Sequence, residues 1–120
     1  MSDSTPEKDR LVRAILDLLT PAERSGSVVY LADAIFPGGT RLAFPRSSIQ
    51  VPWNAAVAFI DRDPMANWTH SARFLLINPD TGETASYETQ LPPFGSDPKI
   101  HWRVIYKAPS IPDSMVNHPS

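Results

Sequence analysis

The sequence predicts an α+β domain, an N-terminal helix packed on a meandering antiparallel sheet of five or six short strands. Three observations predict it. One apolar stripe at helical spacing lies near the N-terminus, between residues 11 and 19. From Ser27 onward the apolar pattern changes to short strand-like runs. The breaks between those runs are of hairpin length, and no later segment offers a crossover helix for parallel pairing.

Ser4 and Glu7 have capping-box spacing, and Pro6 suits a first turn, where its missing N–H costs nothing. Leu11, Ile15, Leu18 and Leu19 recur at i, i+4, i+7 and i+8, and Val12 and Leu16 widen the stripe. The stripe predicts that Leu11, Ile15 and Leu18 are buried against the sheet. Pro21 disfavours a helical Thr20 and ends the helix. Thr20-Pro21-Ala22-Glu23 then repeats the capping-box pattern and predicts one short turn, stopped by Ser25-Gly26.

The strands follow. Val28 to Phe36 is rich in β-branched and aromatic residues, and Pro37-Gly38-Gly39-Thr40 is turn chemistry that would return Arg41 to Phe44 as a hairpin arm. Ser48 to Val51, bracketed by Pro45 and Pro52, fits an edge strand. Asn54 to Ile60 is nearly all apolar and reads as a strand buried on both faces, with a helical turn over Asn54 to Ala58 as the alternative. Ala72 to Ile77 and Glu83 to Thr89 flank the turn Asn78-Pro79-Asp80-Thr81-Gly82, where Gly82 can take a left-handed position. Ile100 to Lys107 alternates, with Ile100, Trp102, Val104 and Tyr106 on one face. Residues 1–107 thus form one domain, and 108–120 a proline-rich tail that docks through Ile111, Met115 and Val116.

Composition narrows the function classes. The chain has 120 residues, 42% hydrophobic and 20% charged, which is globular rather than disordered composition. The net charge of -2 argues against a sequence-independent nucleic-acid binder. No apolar run is long enough to span a bilayer. The first residues lack a basic stretch followed by an apolar one, so a cytoplasmic location is expected. Without cysteine there is no disulfide, thiol catalysis or zinc–thiolate site. Asn67-Trp68-Thr69 matches a glycosylation acceptor and, with no secretion signal, reads as chance.

Catalytic patterns are sparse. Asp61, His70 and His101 would make a metal site only if they met, and no ligand-spaced motif brings them together. Ser71 follows His70, but adjacent strand residues point to opposite faces, which defeats a nucleophile–base pair. Pro37-Gly38-Gly39-Thr40-Arg41 lacks the phosphate-loop pattern and reads as a turn. The loop Asp61 to His70 remains the richest connection, with Asp61, Asp63, Trp68 and His70 within ten residues. Trp53, Trp68 and Phe94 also lie in connections, where an exposed aromatic anchors a partner. The expected function is therefore a non-enzymatic binding module, recognising a protein partner or forming a homodimer. It needs no cofactor, metal or nucleic acid, and its binding residues would be Trp68, Trp53, Phe94, Asp61, Asp63 and His70. The alternative is a small enzyme with a polar site built from Asp61, Asp63, His70, Arg73 and His101.

Phe74-Leu75-Leu76-Ile77-Asn78-Pro79-Asp80-Thr81-Gly82-Glu83 resembles the closing hairpin of PepSY-type propeptide domains, and the helix-then-strands order is similar to cystatin-like folds. The resemblance implies peptidase inhibition or chaperoning. Gln50-Val51-Pro52-Trp53 stands where a cystatin would carry its Q-x-V-x-G inhibitory loop and departs from that pattern.

Overall fold

The computed structural model describes residues 4–44, 47–64, 71–94 and 99–116. It has the expected mixed architecture. The first helix, α1, spans Ser4–Asp17, and α2 spans Pro21–Gly26. Seven strands follow: β1 Val28–Phe36, β2 Arg41–Phe44, β3 Ser47–Gln50, β4 Ala55–Asp61, β5 Ala72–Ile77, β6 Thr84–Thr89 and β7 Trp102–Lys107. Five of them form an antiparallel sheet in the order β6-β5-β4-β1-β7. The other two, β2 and β3, pair as a separate hairpin.

The sheet carries a core on each face. On the helix face, Ile15 and Leu19 pack with Val29, Leu31, Ala56, Ala58, Ile60, Leu75 and Ile77. On the hairpin face, Leu42, Phe44 and Ile49 cover Val28, Tyr30, Val57, Phe59, Phe74 and Leu76. Phe44 stacks on Phe74 with ring centroids 4.5 Å apart. A strand between two cores must be apolar throughout, and β4 is buried from Ala55 to Ile60. The strand alternative at Asn54 to Ile60 is thus correct and the helical turn is not.

Three expectations need correction. Leu18 is 40% exposed rather than buried. The helix ends at Asp17, and the 3.0 Å Leu18 N–H to Ile15 O bond tightens the chain there, so Leu18 leaves the stripe and Leu19 fills the site. The segment Arg41–Phe44 does not return against β1. Both long edges of β1 are already taken, by β4 and β7. Instead Gly39 at φ 91 donates its N–H to Val51 O, and Gly38 donates to Asn54 Oδ1. These bonds send the chain across the sheet face. Finally, the alternation of β7 breaks: Val29 pairs with Tyr106 but Tyr30 with Val104, a bulge that re-aims Tyr106. Tyr106 reaches the helix side, where its hydroxyl donates to Arg24 O.

The chain after β7 folds back onto the hairpin face. Ala108 N–H donates to Ser27 O at 3.0 Å, Ala108 and Ile111 are buried, and Val116 packs beside them. The capping box expected at Ser4 and Glu7, and the side chain of Met115, lie outside the described residues. The second capping box is present as expected. Thr20 Oγ1 accepts from Glu23 N–H, and Glu23 Oε1 accepts from Thr20 N–H.

Candidate functional site

The expected binding residues scatter. Trp68 and His70 lie outside the described residues. Asp63 is exposed, and its N–H donates to Asp61 Oδ1 at 3.1 Å, an Asx turn that closes the end of β4. Trp53 is half-buried against the hairpin-face core. The Cα of Trp53 would lie 2.9 Å from a Cβ at position 38, so glycine there lets the two segments pack. Phe94 is half-buried and packs against the hairpin-face core. Its ring meets Tyr30 at 4.7 Å, Phe59 at 5.7 Å and Trp102 at 6.0 Å, all edge-on, the geometry that aromatic pairs prefer.

Of the alternative polar site, His70 lies outside the described residues and His101 lies apart from Asp61. Asp61 pairs across from Val28, whereas His101 accepts a bond from Asp33 N–H at the other end of β1. Five strand residues separate those points, about 17 Å. Arg73 is committed elsewhere. Among the described residues no group of three or more histidines and carboxylates could hold a metal.

The polar centre that does exist was hidden in the sequence. It is Glu23, 2% exposed, at the corner where α2 meets the sheet. Arg73, on β5, clasps it with Nε to Oε2 at 2.8 Å and Nη2 to Oε1 at 2.9 Å. Arg62, just past β4, adds Nε to Oε2 at 2.9 Å. The rest of the Arg62 guanidinium holds Glu88 of β6 at 2.6 and 3.0 Å and donates to Ser71 Oγ at 2.9 Å. Arg73 also donates to Ser86 Oγ and to Leu18 O. Burial works to raise the pKa of Glu23. The bonds from Arg73, Thr20 N–H and Arg62 and the charge of Arg73 outweigh it and hold the carboxyl at about 2. The Arg62 bond likewise depresses the pKa of Glu88. Every charged group here is met by another, so the cluster braces the corner and pairs the only charge on β6, the exposed Glu88, with Arg62.

The five-stranded sheet ends in two edges, β6 and β7. β7 is an edge with three protections: the bulge, the exposed Arg103, and Lys107, whose Nζ donates to Ile111 O at 2.6 Å. β6 has none. Its six residues pair with β5 in unbroken register, and it contains no lysine, arginine or proline. Thr84, Ser86 and Glu88 alternate with Ala85, Tyr87 and Thr89. Tyr87 lies across from Phe74 and is 37% exposed. Among the described residues no strand lies outside β6. Ile35, also exposed, sits on β1 three strands away, so it does not extend a patch around Tyr87.

No known family model matches the chain, and neither the curated proteins nor the solved structures contain a match to it. Among the described residues no helix is long and apolar enough to cross a membrane.

Proposed function

We propose that the protein is a binding module that accepts an extended segment of a protein partner as a sixth strand along β6. The observation that carries this is the contrast between the two edges. Edges of natural sheets are normally blunted by bulges, lysines or prolines, because a bare edge pairs with any available strand. β7 follows that rule and β6 does not. In strand addition, main-chain hydrogen bonds supply affinity and alternate side chains supply selectivity. Here the selecting side chains are Ala85 and Tyr87 on one face and Thr84 and Ser86 on the other.

The test is selection of displayed eight-residue peptides against the immobilised protein, followed by amide mapping of the bound ligands by NMR. The expected result is that selected peptides perturb β6 and β5, and that Tyr87→Lys abolishes their binding with the melting temperature unchanged. Peptides that map to β7 or to either helix, or a selection that yields none, would overturn the proposal.

A further inference from the structure

We infer that the strand seated on β6 is the β6 of a second copy, giving a two-fold dimer with one continuous sheet. This inference rests on the edge-binding proposal and goes further by naming the partner. A two-fold axis normal to the sheet reverses strand direction but keeps each face, so the helix faces of both copies fall on one side. Only residues of the same face can then lie opposite each other. The pairing is therefore centred on a residue, and two centres align most of the strand. Centred on Ser86, it sets Tyr87 opposite Ala85 of the copy and Glu88 opposite Thr84. Centred on Tyr87, it sets Tyr87 opposite its own copy and Glu88 opposite Ser86. In both, the single acidic residue avoids its counterpart, and like charges directly opposite are what destabilise such pairs.

The charge pattern favours a copy over an unrelated charged peptide. β6 has no cation, and its only anion, Glu88, is already held by Arg62. Nothing on the strand is left to select a charged segment. A second β6 instead continues each face in kind, hydroxyl beside hydroxyl and Tyr87 beside Ala85 or tyrosine. Five strands from each copy would join into ten. One strand pair makes a contact at the small end of specific interfaces, so the dimer is concentration-dependent.

The experiment is sedimentation equilibrium of the full chain from about 10 μM to about 1 mM. It compares the wild type, Tyr87→Lys, Tyr87→Glu and an equimolar mixture of the two variants. The two position-87 side chains lie opposite or diagonal across the axis, within roughly 8 Å. The wild-type mass should rise from 13.3 kDa toward twice that value. Each variant alone should raise the dissociation constant at least about tenfold. The mixture should regain association, which also shows that both variants fold. A wild type that stays at 13.3 kDa throughout overturns the second-copy inference, while peptides selected onto β6 would still support edge binding. A dimer indifferent to both variants, or a mixture that fails to recover, overturns it as well.

Discussion

Glu23→Gln removes the charge at the centre of the corner where α2 meets the sheet while keeping the size of the side chain. Four donors converge on the carboxylate: Thr20 N–H and Arg73 Nη2 on Oε1, and Arg62 Nε and Arg73 Nε on Oε2. Glutamine keeps one acceptor and turns an NH2 group toward two of those donors. Two charge-assisted bonds are lost, each contributing about 1.5–3 kcal/mol. Arg73 is left nearly buried without its counter-charge, and breaking such a pair costs about 3–5 kcal/mol. These are two views of one loss, so the expected destabilisation is about 3–5 kcal/mol. A 120-residue domain unfolds with an entropy of about 250 cal/mol/K, so each kcal/mol moves Tm by about 4 °C. Calorimetry should therefore show Tm falling by about 12–20 °C. Thr20→Ala, which removes the cap but leaves both arginines paired, should cost only about 1 kcal/mol. A Glu23→Gln protein that melts within about 4 °C of wild type would show that Glu23 is no more than a helix cap.

The same carboxyl sets an acid limit. Its folded pKa, about 2, lies below the ordinary 4.5, so its stabilisation is complete above pH 4.5 and is lost as pH falls toward 2. Denaturant titrations across that window should show wild type losing about 3 kcal/mol that Glu23→Gln does not lose. Ile15→Ala, at a fully buried position of α1, should cost about 2–5 kcal/mol in chemical denaturation. Phe94→Ala should cost about 3–5 kcal/mol in the same assay and leave selected-peptide binding intact once folded, since its ring serves the core.

Local signals in the sequence were legible where one physical rule decided the outcome. The capping box at Thr20–Glu23, the continuous apolar run of β4 and the turn before β6 are all found as expected. That turn also accounts for the motif that resembles PepSY hairpins. Asn78 Oδ1 accepts from Asp80 N–H and Thr81 N–H, and Gly82 takes φ 81. The motif's residues are those an Asx turn with a left-handed glycine requires. What the sequence hid were long-range choices. Whether Arg41–Phe44 pairs with β1 or lies over the sheet depends on which strands occupy both sides of β1, and β7 comes about 60 residues later. The glutamate of a capping box satisfies a backbone N–H, so nothing local marked Glu23 as the meeting point of two arginines. The available signal was Arg73, one charge inside the apolar run of β5, which demands a buried partner. An open edge such as β6 is likewise a property of strand order, invisible until every neighbour is placed.

Residue-resolved hydrogen exchange along β6 distinguishes an edge that binds a strand from one that stays bare. In an edge strand every other N–H points away from the sheet and is free to exchange, and an added strand covers those alternate amides. Edge binding predicts that alternate amides between Thr84 and Thr89 gain protection when a selected peptide is added. The second-copy inference predicts the same gain as protein concentration rises, with β7 unchanged in both cases. Protection that appears along β7, or β6 amides that exchange equally fast with and without a bound peptide, would contradict edge binding.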